Sequence, residues 1–106
     1  MMDKRILSSL GLCSKAGKLI FGVPMITEAL QKGKEIYLVL EAGDTSDNTH
    51  KKITDKCNFY QVEKIRLDID GGDLASAVGK SSSLAAVAIT DAGFYKMMSK
   101  YFDNQQ

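Results

Sequence analysis

The 106-residue sequence contains no tryptophan, one proline, one histidine and two cysteines. A single histidine and two cysteines 44 positions apart give neither a zinc-binding pattern nor a recognisable nucleophilic site. No apolar run approaches the roughly 18 residues of a membrane helix, and the N-terminus lacks the apolar core of a signal peptide. We therefore expect a cytoplasmic protein that needs no membrane, no metal and no cofactor.

An excess of one charge is also missing, because 14 basic and 13 acidic residues leave a net charge of +1. The charges are unevenly spread: residues 1–34 hold six Lys or Arg against two acidic residues. This distribution predicts a local anion-binding patch near the N-terminal third. The apolar share of 44% and the charged share of 25% are typical of a soluble globular protein. We expect residues 1–106 to form a single domain.

Short apolar segments alternate with segments of helical periodicity along the chain. Helices are predicted over residues 3–16 (with Asp3 as N-cap), over 23–32, from Ser46 or Asp47 to Tyr60, from Asp70 to Gly79, and after a cap at Thr90 or Asp91. Strands are predicted over 19–21, 36–40, 62–67 and 84–89, with a polar loop over 41–45. The alternation predicts an α/β fold, a three-layer α/β/α sandwich around a central mixed sheet of about four strands.

Two of the predicted strands, 36–40 and 84–89, are apolar at every position. A continuous apolar run of this length is typical of a strand that helices cover on both faces. Cys13 and Cys57 fall on apolar helix faces, which predicts buried free thiols in a reducing compartment.

Catalytic chemistry has little support in the sequence, and we expect a protein that is not an enzyme. His50 lies among apolar helix positions, so we interpret it as a packing or capping group rather than a base. Asp68, Asp70 and Asp73 form an acidic cluster, but the pattern of a calcium loop is incomplete and capping of the fourth helix accounts for Asp70.

The strand-turn-helix of residues 19–28 has several features of an anion site. Gly22 permits a tight turn, and Pro24 suits the first turn of a helix. The free N–H groups at a helix N-terminus favour phosphate. Four lysines flank the segment: Lys15, Lys18, Lys32 and Lys34. An ordinary strand-to-helix turn among solvated lysines is the alternative interpretation.

A second segment, Lys80, Ser81, Ser82 and Ser83, joins the fourth helix to the last strand. It would lie beside the turn if strand 19–21 ends, and strand 84–89 begins, at the same end of the sheet. Hydroxyl and amine groups are suited to phosphate and sugar oxygens.

Fragments along nearly the whole chain resemble the ribosomal protein L7Ae/L30e family, and most closely its small stand-alone bacterial members. The fragments are Lys15–Leu19 with Gly22 and Gly33, Tyr37–Leu40, Asp44–Thr49 with Lys52 and Ile53, Leu74–Lys80, and Ala86–Asp91 with Gly93 and Phe94. The resemblance implies a compact α/β/α sandwich that binds kink-turn RNA, an RNA element read through its distorted shape. By that resemblance, Gly22–Met25 and Glu28 would meet tandem sheared G·A pairs, and Gly79–Leu84 would meet a flipped-out nucleotide.

Several contact positions depart from the family pattern. Typical kink-turn binders have Asn or Lys where this chain has Pro24, Glu or Gln where it has Met25, and Lys where it has Glu28. Pro24 lacks a polar side chain and an N–H, and Met25 is a weak acceptor. Serines also replace the more apolar residues of the second loop. Because each lost charged hydrogen bond costs roughly 1.5–3 kcal/mol, we expect weak or non-standard RNA specificity.

The sequence therefore predicts a non-enzymatic, ribosome-associated, monomeric protein that binds structured RNA. The predicted RNA-binding residues are Lys15, Lys18, Gly22, Val23, Pro24, Met25, Glu28, Lys32, Lys34, Lys80, Ser81, Ser82 and Ser83. One alternative is a protein-interaction module that docks through Pro24 and Met25. Another is an accessory substrate-binding subunit of an RNA-modifying enzyme, because the fold resembles a domain attached to some RNA 2′-O-methyltransferases.

Overall fold

The computed structural model describes residues 3–103, which form five helices and four strands in strict alternation. The helices are α1 (Arg5–Lys15), α2 (Val23–Gln31), α3 (Asp47–Phe59), α4 (Gly71–Ala77) and α5 (Ala92–Asp103). The strands are β1 (Leu19–Phe21), β2 (Leu38–Glu41), β3 (Lys64–Arg66) and β4 (Ala86–Ile89). The predicted number and order of elements are confirmed.

The four strands form one mixed sheet in the order β1-β4-β2-β3. Strand β4 is antiparallel to both of its neighbours, while β2 and β3 are parallel. Strands β1, β2 and β3 therefore end, and β4 begins, at the same end of the sheet. We call this end, which carries Gly22, Ala42 and Ala85, the loop end.

Helices cover the sheet on both sides, as the continuous apolar runs predicted. Helices α1, α4 and α5 pack on one face, and α2 and α3 pack on the other. Along β2, Leu38 and Leu40 belong to the core beneath the first layer, while Val39 belongs to the core beneath the second. All three side chains are buried, which confirms the α/β/α sandwich.

Polar side chains cap three of the helices as the sequence predicted. Ser46, Asp70 and Asp91 each accept the backbone N–H three residues further on, at 3.2, 2.8 and 2.9 Å. The N-cap position of α1 is Lys4 rather than the predicted Asp3. Asp3 accepts the N–H of Arg5 at 2.9 Å instead, because a single tight turn precedes the helix.

Cys13 and Cys57 are buried free thiols, as predicted. Burial raises the pKa of each thiol to about 11, so both remain protonated and unreactive at neutral pH. Between residues 3 and 103, no helix is long and apolar enough to cross a membrane.

The prediction of a polar loop over residues 41–45 is wrong at Glu41, which is the last residue of β2 and is completely buried. The strand continues because Leu67 N–H donates to the Glu41 carbonyl at 2.7 Å and extends the pairing of β2 with β3. The carboxylate meets Lys64 Nζ at 2.6 Å and His50 Nδ1 at 2.7 Å, and it accepts a hydrogen bond from Thr45.

Hydrogen bonding keeps this buried carboxylate charged. Burial by itself raises the pKa of Glu41, but the hydrogen bonds from Lys64, Thr45 and His50 outweigh burial and hold the pKa below its ordinary value. We call Glu41, Thr45, His50 and Lys64 the Glu41 cluster. It ties β2 to α3 and β3, so His50 makes a polar structural contact, where we predicted a packing or capping group.

We predict that Glu41→Gln lowers the free energy of unfolding by about 3 kcal/mol, because it leaves Lys64 buried without a counter-charge. Urea unfolding followed by circular dichroism measures this change. The control is Asp55→Asn, which breaks the exposed Lys51–Asp55 ion pair and should cost no more than about 0.5 kcal/mol. Equal losses in the two variants would contradict a special role for the Glu41 cluster.

The same variant gives a pH test. A folded-state pKa below the ordinary value stabilises the fold above the unfolded pKa of about 4.3, and the stabilisation is lost as the pH falls through the folded pKa. The stability difference between wild type and Glu41→Gln should therefore shrink as the pH falls below about 4. A difference that grows as the pH is lowered from about 5 to about 3 would contradict the assignment.

Candidate nucleic-acid interface

The turn from β1 into α2 is held by an unusual glycine conformation. Gly22 has φ +85° and ψ 149°, a backbone region that is essentially restricted to glycine. Its N–H donates to the carbonyl of Ala86 at 2.9 Å, and its own carbonyl accepts the N–H of Ile26 at 3.0 Å. The chain thus leaves the sheet and enters the helix at one residue. Because Pro24 has no N–H, the first turn of α2 presents the N–H groups of Val23 and Met25.

Helix α2 buries the face that the sequence predicted. Ile26, Ala29 and Leu30 pack into the core, whereas Met25 is 56% exposed. The helix ends at Gln31, and Gly33, with φ +76°, turns the chain away from it. This arrangement fixes one side of α2 on the sheet and leaves the other side open along its length.

The second predicted segment lies next to this turn. The loop of residues 80–83 follows Gly79 and returns the chain to the start of β4. Lys80 Nζ lies 4.4 Å from the centre of the Phe21 ring, within the range of a cation–π contact. Phe21 ends β1, so the Gly22 turn and the second loop share the loop end of the sheet. We call the surface formed by Gly22–Met25 and Gly79–Leu84 the loop-end surface.

Lys15 lies on the same side of the molecule as the second loop. It lines a cleft of about 340 Å³ between α1 and α4, together with Gly79. The two helices approach each other closely beside the cleft, since a Cβ on Gly11 would lie 3.1 Å from the Ala77 carbonyl. Ser14 Oγ donates to the Val78 carbonyl at 2.9 Å and further joins the two helices.

The other predicted lysines lie away from the Gly22 turn. The carbonyl of Lys18 accepts the N–H of Thr90 at 3.0 Å, at the end of the sheet opposite the loop end. Lys32 and Lys34 follow the last turn of α2 and also lie toward that opposite end. The structure therefore places Lys15 close to the second loop, of which Lys80 is part. It separates Lys18, Lys32 and Lys34 from the Gly22 turn.

A shallow groove of about 150 Å³ links the two regions along α2. Its lining residues are Ile20, Met25, Glu28, Ala29, Lys32 and Lys34. Within the groove, Lys32 Nζ lies 2.8 Å from Glu28 Oε1. This hydrogen bond lowers the pKa of Glu28 and raises that of Lys32, so both remain charged and cancel each other. Sequence reasoning missed this pair, although its i,i+4 spacing could have revealed it.

The fold and this surface define a small α/β/α protein in which two loops meet at one end of a mixed sheet. The sequence profile of the Ribosomal protein L7Ae/L30e/S12e/Gadd45 family matches residues 4–99. The chain therefore belongs to this family, as the sequence fragments indicated. Membership of this family indicates a non-enzymatic protein.

Relatives and solved structures agree with this assignment. The chain is 34% identical over 94 residues to the RNA-binding protein YlxQ of Bacillus subtilis (strain 168), covering 89% of this chain and 91% of the relative. It is 32% identical over 93 residues to the RNA-binding protein YlxQ of Enterococcus faecium, covering 88% and 86% of the two chains. The structure of a protein with unknown function from Bacillus halodurans C superposes with a TM-score of 0.84 at 31% identity, covering 95% of this chain and 99% of that one.

We predict that Gly22→Ala destabilises the protein by about 3 kcal/mol, because alanine is excluded from the Gly22 conformation. The matched control is Gly17→Ala, at φ +71° with open space around it, which should cost about 1 kcal/mol. Urea unfolding measures both variants. Similar losses of unfolding free energy in the two variants would show that the Gly22 conformation is no more restricted to glycine than an ordinary left-handed one.

Proposed function

We propose that this protein binds structured RNA, with ribosomal RNA foremost, through the loop-end surface. The observation that carries the proposal is the contact between Lys80 and Phe21, which places the second loop beside the Gly22 turn. The two relatives that are named as RNA-binding proteins cover most of this chain and support the same function. We further propose that the protein acts as a cytoplasmic monomer.

The groups at this surface suit an RNA backbone. The N–H groups of Val23 and Met25 lie at the positive end of the α2 dipole, where a phosphate is favoured. Ser81, Ser82 and Ser83 are exposed and offer hydroxyls to sugar or base oxygens. The exposed ammonium of Lys80 adds a phosphate contact between these two sets of groups.

We propose that recognition of a standard kink-turn is weak. Pro24 and Met25 lack the polar groups that the family resemblance implies at their positions. Glu28 is already paired with Lys32, so this row of the helix offers no net positive charge to a phosphate. A structured RNA that binds without contacts at Pro24, Met25 and Glu28 is the better ligand.

A second candidate function is protein docking on the groove along α2. Met25 is 56% exposed and lines this groove with Ile20 and Ala29. A flexible thioether beside apolar groups suits adaptable apolar contact. Nuclease treatment separates the candidates, because a docked protein stays bound after RNA is digested.

We predict that Lys80→Glu weakens binding to a kink-turn or ribosomal RNA fragment by about tenfold or more, because a phosphate contact becomes a repulsion. Titration at two salt concentrations measures it, and the salt slope should fall by roughly 0.7–0.9. The control is Lys100→Glu, an exposed charge reversal in the last turn of α5. No RNA binding at low salt, or equal effects of the two variants, would overturn the proposal.

We predict that the triple variant Pro24→Asn, Met25→Glu and Glu28→Lys binds kink-turn RNA at least about tenfold more tightly than wild type, since it restores polar and charged contacts. Titration against a kink-turn RNA and against the same RNA with its sheared G·A pairs replaced by Watson–Crick pairs measures the gain. A gain on both RNAs would indicate added charge alone, and no gain would show that these positions do not limit binding.

A further inference from the structure

Helix α3 ends in an aromatic residue, Phe59, that lies outside the core. Lys52, Lys56 and Phe59 recur at spacings of four and three residues and so form one row on the helix. Phe59 is 78% exposed, the most exposed large apolar side chain among residues 3–103. Exposure of a phenyl ring to water is unfavourable, and burial of the ring against a binding partner would remove this cost.

The Phe59 ring is braced by its neighbour. The centres of the Phe59 and Tyr60 rings lie 4.9 Å apart, with their planes at 80° in an edge-to-face contact. Tyr60 is itself packed against the core under α2 and α3. The brace restricts the Phe59 ring while leaving most of it accessible, as a stacking platform requires.

The two lysines of this row have no ion-pair partner. Within residues 3–103, neither Lys52 nor Lys56 has a carboxylate at ion-pair distance. On the same helix, by contrast, Lys51 pairs with Asp55 at 3.0 Å. Two unpaired lysines that lead to an exposed ring suit a single strand, whose phosphates meet the lysines while one base stacks on the ring. This arrangement does not match an apolar protein surface, which would have to desolvate both ammonium groups.

Two clefts that share Lys34 lead from the proposed RNA site toward the end of α3. The groove along α2 runs from Met25 to Lys34. A cleft of about 320 Å³ at the end of α2 is lined by Lys34, Glu35 and Tyr60 among others. A strand that leaves the loop-end surface can therefore follow α2 to Tyr60, whose ring contacts that of Phe59.

We propose that Lys52, Lys56 and Phe59 form a second RNA contact, in which Phe59 stacks on an unpaired base of a single-stranded segment flanking the structured RNA. The two lysines hold successive phosphates of that segment, on the N-terminal side of Phe59 along α3. This inference rests on the proposed RNA-binding function. It adds a single-stranded RNA segment, bound at the Phe59 end of α3, to the structured RNA bound at the loop-end surface.

The test compares one structured RNA with the same RNA extended at either end by a short oligouridine tail. We expect wild type to bind the extended RNA more tightly, and Phe59→Leu to lose roughly 5- to 100-fold in affinity for it, with no change for the RNA without a tail. Phe59→Tyr keeps an aromatic ring and should keep the affinity. Replacing Lys52 and Lys56 by alanine should reduce the salt slope for the tailed RNA by roughly 1.4, whereas Lys51→Ala, on the paired lysine, should reduce it less.

The outcomes separate this inference from the function on which it rests. If wild type binds the structured RNA but the tail adds nothing, or Phe59→Leu behaves like Phe59→Tyr, the second contact is overturned and the loop-end site stands. If wild type binds neither RNA, the proposed function fails and the second contact fails with it. Ultraviolet crosslinking of the tail to the peptide that contains Phe59 would support the contact directly.

Discussion

One backbone hydrogen bond, from the Gly22 N–H to the Ala86 carbonyl, sets the geometry on which the candidate site depends. It fixes the point where β1 ends against the point where β4 begins, and so places two distant segments of sequence side by side. The donor can sit there because Gly22 adopts a conformation closed to other residues. The Lys80 contact with Phe21 then follows from the strand pairing, since Phe21 is the last residue of β1.

Local patterns were sufficient to predict most of the fold. The apolar row Ile26, Ala29 and Leu30 fixed the buried side of α2, and the run through Leu38–Leu40 identified a strand covered on both faces. The site was harder to predict, because the position of Lys80 beside Phe21 depends on β4 lying antiparallel next to β1. Sequence spacing contains no such information, since it describes neighbours along the chain and not neighbours across a sheet.

The burial of Glu41 is a second feature that local sequence patterns could not predict. A glutamate followed by alanine, glycine and aspartate is typical of a loop, and burial of a carboxylate is costly unless it is paired. The pairing that permits burial comes from Lys64, 23 positions further along the chain. Only the parallel register of β2 and β3 brings that lysine to the carboxylate. Local polarity therefore predicted a loop where long-range electrostatics allow a strand.

The small net charge of the chain does not argue against a polyanionic ligand, because attraction depends on which charges are free. Glu28 cancels Lys32 along α2, while neither Lys52 nor Lys56 on α3 has an ion-pair partner within residues 3–103. Unpaired positive charge is thus missing from the row of α2 where the family resemblance implies it, and it is present on α3. An RNA bound only at the loop end would gain little from that charge. The distribution therefore favours a ligand that extends along α2 and α3 over one confined to the turn.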